Sequence, residues 1–312
     1  MLPPEQDIDP LLRPRIDAAW SVIEENIGGL PPTLKAAAGD FLARRRPGRD
    51  HHDYFSDVAA AAPVGYLPLW LEEGLGLAHD PALLQATMWG YFAIRIQDDA
   101  MDEARPVAAD QLFANVCLER MNHGLRQAAV PGFWPIFDAL WTQFSDQTLA
   151  EHLQLRSDGD YGSELFEEHA SKVAFAAVPL VLVCLRAGKP ERIEGACALV
   201  HELGIGLGLV NDVRGYARDV ANGHRTHLLA TAGWKHGQPL DDALRTRLYD
   251  EGVINGFDER AAVSLQRARV LADKVGMGPA VRAWLDRVDG VLSQASAQRF
   301  TLRLLKALSK PS

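Results

Sequence analysis

The stretch AIRIQDDAMDE, Ala93 to Glu103, sets Asp98, Asp99, Asp102 and Glu103 at the end of an apolar helical pattern. On a helix, Asp98 and Asp102 lie one turn apart, and Asp99 stacks above Asp102 and Glu103. Unpaired carboxylates at that spacing repel, and a helix C-terminus already carries partial negative charge. Arg95, one turn back, offsets one charge, whereas hard divalent cations held by carboxylate oxygens offset more. A solvated acidic helix end is the plain alternative. Against it, the helical steps upstream of Asp98 run through Ile94, Tyr91, Gly90 and Thr87, an apolar or small face, so the acids stand at the mouth of something greasy.

A second constellation lies far along the chain in GIGLGLVNDVRGYARDVANGHRTHLL, Gly204 to Leu229. Asn211, Gly215 and Asp219 fall at i, i+4 and i+8, within ~80° of one helix face. An amide oxygen and a carboxylate therefore point the same way, with Arg214 and Arg218 nearby. As a lone pattern this is also an ordinary surface face. It too follows an apolar helix, so the two oxygen clusters can face one another across a single cavity mouth. Mg²⁺ ions that keep most of their water and bridge to substrate phosphates fit such a site. The substrate this implies is an apolar chain bearing a diphosphate. Gly204, Gly206 and Gly208 are not a dinucleotide fingerprint, since no strand precedes them; they permit close helix packing.

Helices must position these groups. Helical apolar spacing dominates, and no set of alternating β-branched segments offers a sheet. Pro and Gly punctuation divides the chain into about ten helical segments. The long ones are expected near 81 to 102, 107 to 129, 134 to 157, 160 to 187 and 190 to 221, the fourth bent at Pro179. No low-complexity linker and no fixed-period repeat appears, so residues 1–312 read as one all-α bundle, preceded by a poorly ordered arm at 1–13, whose helices apolar nearly all round either are surrounded by others or line a deep central apolar cavity. With 41 Asp plus Glu against 32 Lys plus Arg, the formal charge is -9, the wrong sign for a nucleic-acid partner. Cys117, Cys184 and Cys197 form no CxxC pair and fit a reduced compartment. The N-terminus lacks a secretory pattern, and the longest apolar run, 173 to 185, is short of the ~20 residues a bilayer span needs, so a cytoplasmic protein is expected. His51 to Asp53 and the His201–Glu202 pair lack zinc-hydrolase spacing.

The motifs resemble those of the class I terpene synthases of bacterial type, within the isoprenoid synthase superfamily. DDAMDE is similar to the aspartate-rich DDxxD motif, which implies Asp98 and Asp102 as metal ligands with Asp99 beside them in the catalytic set. NDVRGYARD resembles the second metal motif, NDxxSxx(R/K)(E/D), implying Asn211 and Asp219 as ligands and Arg218 as a diphosphate contact. Gly215 departs from it, standing where the motif has a hydroxyl. SKVAFAAVP, Ser171 to Pro179, is similar to the family's helix break and puts Lys172 at the diphosphate-sensing position and Ala176 at the effector position. QRF, Gln298 to Phe300, resembles the C-terminal Arg-Tyr pair, implying Arg299 as a further diphosphate donor and leaving Phe300 without the hydroxyl.

The resemblance implies three Mg²⁺ ions, a linear prenyl diphosphate substrate of farnesyl or geranylgeranyl length, and a homodimer. The implied reaction is ionisation to a carbocation that cyclises in an apolar pocket, with release of diphosphate. Tyr91, Phe92, Ile94, Phe175 and Ala176 are the candidate pocket residues, with Phe55, Trp70 and Trp284 as further aromatics, each of which also reads as an ordinary core ring. A trans-prenyl diphosphate synthase is the rival within the fold. RRRPGRD, Arg44 to Asp50, lacks that group's glycine and lysine order, and the second motif opens on Asn211, which favours cyclisation. A catalytically inactive relative acting as a binding subunit is kept open by Gly215, Lys172 and Phe300.

Overall fold

The computed structural model describes residues 9–45, 64–102, 108–290 and 293, with the side chains of residues 45 and 102 outside that set. Among the described residues every regular element is helical. The helices are α1 Arg13–Gly28, α2 Pro32–Arg45, α3 Tyr66–Gly74, α4 Pro81–Asp102, α5 Ala108–Ala128, α6 Phe133–Leu155 and α7 Ser163–His169. A 3₁₀ segment, Ala170–Ala177, leads into α8 Val178–Arg186. Then come α9 Ile193–Asn222, α10 His227–Thr231, α11 Asp242–Arg245, a π turn at Thr246–Asp250, α12 Val253–Val275, and α13 over 278–290.

The ends of α4 explain its register. Asp80 caps the start, its Oδ1 accepting from Ala82 N at 2.9 Å and Leu83 N at 3.3 Å, and Pro81 follows with the fixed φ that suits a first turn. Arg186 of α8 donates to the other Asp80 oxygen at 2.6 Å. Behind it, buried Glu72 accepts from Asp80 N at 3.2 Å and pairs with His79 at 3.1 Å. Burial pushes the Glu72 carboxyl above its usual range, while the His79 hydrogen bond pulls the other way. The N-terminus of α4 is thus pinned, and its far end carries the acids.

Two apolar clusters hold the bundle. The larger joins α1 to α6, the 3₁₀ segment, α8, the first half of α9, the end of α12 and α13; the smaller joins α7, the middle of α9, α10 and the start of α12. Along α6, Phe133, Phe137, Trp141 and Phe144 recur at helical spacing and touch in sequence, Phe137 stacked on Trp141 at 5.7 Å, and Phe144 meets Phe175 at 5.5 Å. Each such buried ring contributes roughly 1.5–3 kcal/mol by leaving water.

The segment expected as one bent helix at 160 to 187 departs from α geometry well before Pro179. Pro179 has no N–H to donate and its ring crowds the carbonyl one turn upstream, so the α ladder restarts at Val178, and residues 170–177 wind as a 3₁₀ helix. Gly204 of α9 lets that segment approach: a Cβ there would lie 2.8 Å from Ala170 O and 2.6 Å from a Val173 methyl. The expected arm at 1–13 is anchored where it is described, with Leu12 buried and Trp70 Nε1 donating to Asp9 at 3.0 Å. Residues 1–8 lie outside the described residues. Two stretches, Ser163–Arg186 and Pro190–Asn222, are long and apolar enough to cross a membrane by composition, beyond what the run 173–185 allowed. The first is 67% buried in the protein's own core.

Candidate active site

Four elements converge where α4 ends. Arg95 donates to Asp98 at 2.8 Å and lies 3.6 Å from Asp99, so one guanidinium serves both acids. Arg156, just past α6, donates to Met101 O at 2.6 Å, satisfying a terminal carbonyl of α4 and placing positive charge on its negative end. Lys172, on the 3₁₀ segment, is hydrogen-bonded to Glu151 of α6. Burial alone lowers a lysine pKa, but Glu151, through its charge and hydrogen bond, and Asp98 and Asp212 through their charges, hold the Lys172 ammonium above its usual value.

On α9, the inward carboxylates are Asp212 and Asp219, while Asn211 is exposed. Leu228 N, at the start of α10, donates to Asp212 at 3.2 Å. Burial pushes Asp212 up to about 8; the Leu228 hydrogen bond opposes this, and the negative charges of Asp219 and Glu151 reinforce it. Gly215 brings the backbone of α9 against its own acid: a Cβ would meet Asp219 Oδ2 at 3.0 Å and Arg218 Nη2 at 2.9 Å. Arg218 contacts Asp219 at 3.4 Å and is otherwise exposed. The helix stops at Gly223, φ +70°, where His224 N bonds Asp219 O at 2.8 Å, a C-cap that only glycine adopts without strain. Buried His224 is disfavoured as a cation by burial first and then by Arg156, His152, Arg218 and His236, which together make the rim basic.

Sequence spacing missed Glu151, Asp212 and Arg156. Glu151 had a signal, since it interrupts the buried face of α6 that runs through Phe137, Leu140 and Phe144. Asp212 sat inside the motif but was passed over for its neighbour, because its burial depends on α10. Arg299 and Phe300, with Glu103, Phe55, residues 46–50 of RRRPGRD and His51 to Asp53, lie outside the described residues, as does the side chain of Asp102.

The expected deep apolar well is not shown by the described residues. Between α4, α5, α6 and α8 the free space is ≈ 20 Å³, about one water, lined by Thr87, Gly90, Met121, Trp141, Phe175 and Pro179 among others. Met121 leans on Gly90, where a Cβ would meet its sulfur at 2.7 Å, and with Trp141 and Phe175 it fills the seam to interior density. Phe175 lines this small space. Tyr91, Ile94 and Ala176 are buried outside its lining. Phe92 packs against Trp20, Phe41 and Trp89, and Trp70 against Tyr66 and Trp284, as core rings.

No family model matches the chain, and no curated protein does. Solved structures do. A decaprenyl diphosphate synthase from Rhodobacter capsulatus superposes with a TM-score of 0.72 at 14% identity, over 92% of this chain and 98% of that one. A geranylgeranyl pyrophosphate synthetase from the archaeon Geoglobus acetivorans gives 0.70 at 17% identity, over 91% and 98%. A polyprenyl synthase from Caulobacter crescentus CB15, complexed with calcium and isoprenyl diphosphate, gives 0.71 at 13%, over 91% and 98%. At these identities the likeness establishes the fold, the all-helical isoprenoid synthase type. These neighbours come from the chain-elongating branch and not from the cyclases that the motif spelling favoured.

The donor set fits divalent cations held through water and diphosphate. Asp98, Asp99, Glu151, Asp212 and Asp219 supply the oxygen donors, and the charges of Asp219 and Glu151 add to the burial that lifts Asp212. Among the described residues no three acidic, His or Cys side chains close around one point, as a protein-only cage would require. Magnesium, which keeps several waters and takes one or two carboxylates plus substrate phosphates, suits such a set.

Proposed function

We propose that this chain is a Mg²⁺-dependent prenyl diphosphate synthase, joining an allylic diphosphate to isopentenyl diphosphate. The observation that carries the reading is the gathering of the acidic end of α4, the end of α6, the 3₁₀ segment and α9, joined by Arg156 on Met101 O, Lys172 on Glu151 and the close approach of Ala170 to Gly204. The fold shared with three prenyl synthases supports it. Asp98, Asp102, Asn211 and Asp219 would hold the ions, three in number, and ions bound there would supply Lewis-acid polarisation of the diphosphate. Lys172, Arg218 and Arg299 bind its oxygens as the allylic C–O bond breaks and its electron pair departs with the diphosphate. The isopentenyl double bond then attacks C1, a proton leaves, and a longer prenyl diphosphate results. The apolar seam under Asp98 keeps water from the cation, with Trp141 and Phe175 presenting aromatic faces and flexible Met121 yielding to the chain. Assembly as a homodimer and a cytoplasmic location belong to the same reading.

Cyclisation of the allylic diphosphate alone is the second reading, favoured by Asn211 where an elongating enzyme carries aspartate. One assay decides between them. The protein is incubated with Mg²⁺ and geranyl, farnesyl or geranylgeranyl diphosphate, with and without isopentenyl diphosphate, and products are identified by mass spectrometry. A longer diphosphate supports elongation; a hydrocarbon or alcohol from the allylic substrate alone supports cyclisation. If no substrate releases diphosphate above an Asp98→Ala control, both readings fail and the inactive binding subunit takes their place.

A further inference from the structure

Glu151 has no part in either metal motif, yet it sits where they meet. It hydrogen-bonds Lys172 across the junction of α6 and the 3₁₀ segment, and its side chain is 15% exposed against 39% for the lysine. The acid is largely enclosed, while the lysine side chain keeps more of its surface open. Its charge also reaches Asp212 of α9, Tyr161 and His169.

A lysine head is a compact charge on a flexible stem, and its position is set only by what it touches. The stem's root is fixed by packing, since Gly204 admits Ala170 against α9. The head's hydrogen bond goes to Glu151, while the charges of Asp98 and Asp212 also act on it. Were it to settle on Asp98, it would neutralise a carboxylate proposed to hold the cations.

We propose that Glu151 is a positioning residue for Lys172: it tethers the ammonium between the two acidic helix ends and off their carboxylates, facing the substrate diphosphate. The inference rests on the function proposed above. Its test is calorimetric binding of inorganic pyrophosphate in excess MgCl₂, beside steady-state turnover, for wild type, Glu151→Ala, Glu151→Gln, Glu151→Asp, Lys172→Ala and the Glu151→Ala/Lys172→Ala double variant.

Loss of a partner that orients a binding group costs ~10–100-fold, so Glu151→Ala is expected to weaken pyrophosphate by that factor and to raise KM more than it lowers kcat. Glu151→Asp, which keeps the charge, recovers part of the loss, and Glu151→Ala adds nothing once Lys172 is gone. If Glu151→Ala does not fold, the isosteric Glu151→Gln carries the comparison. Wild-type pyrophosphate affinity in a folded Glu151 variant, or an equal loss with and without Lys172, overturns the tether while leaving the proposed function intact. A wild-type protein that neither binds pyrophosphate nor turns over overturns both.

Discussion

Gly204→Ala tests the joint that sets Lys172 against α9. An added Cβ would stand 2.8 Å from Ala170 O and 2.6 Å from a Val173 methyl. Reaching ordinary contact near 3.4 Å requires the 3₁₀ segment to retreat by roughly 0.6–0.8 Å, and one of the two obstacles is backbone. Overpacking of this kind costs about 1–3 kcal/mol. Alanine returns about 0.8–1 kcal/mol through its better helix propensity. The net is a loss of up to ~2 kcal/mol, most of it from the displaced segment. Gly39→Ala, in the exposed middle of α2 with nothing within 4 Å of its Cβ, receives the propensity gain alone. Urea unfolding followed by tryptophan fluorescence should therefore move the two midpoints in opposite directions. Pyrophosphate affinity in Mg²⁺ should fall in Gly204→Ala only, because Lys172 rides on the displaced turn. A Gly204→Ala protein as stable as Gly39→Ala would show that the close approach does not exist, and with it the account of how Lys172 is placed.

Gly215→Ser restores the hydroxyl that the second motif usually carries; the atoms its Cβ meets are the ends of Arg218 and Asp219, which can move, so the fold survives and the Mg²⁺ concentration for half-maximal turnover should drop. An unchanged or higher Mg²⁺ requirement would mean that the hydroxyl has no ligand role here. His227, buried, donates from Nδ1 to Tyr161 O at 2.7 Å and accepts from Arg260 at 2.9 Å, and burial pushes it down to about 4. The unfolded chain therefore binds the extra proton between pH 6.5 and about 4, and wild type loses on the order of 3 kcal/mol across that window. Asp212, raised to about 8, titrates with the opposite sign, so the measurement is the difference between wild type and His227→Gln in urea at pH 7 and pH 5. The variant should gain on wild type as pH falls; a gap independent of pH would refute the assignment.

Helix positions and the two acidic ends were legible from the residues themselves. The cap at Asp80 and Pro81, the stop at Gly223 and the break near Pro179 are local chemistry, set by which backbone groups can donate within a turn or two. A continuous α9 fixes the angles between Asn211, Gly215 and Asp219 but not their burial, since Asn211 is exposed and Asp219 is buried. What lay beyond reach was everything decided between helices. Asp212 is buried because Leu228 of α10 folds onto it, and Asn211 is exposed for want of such a neighbour. Glu151 meets Lys172 across two elements, and Arg156 reaches back to Met101. An apolar face reads alike in sequence whether it lines a well or packs solid, because the pattern records only dislike of water. The volume beneath Asp98 was set by Met121, Trp141 and Phe175, side chains from three elements that meet only once the bundle has closed.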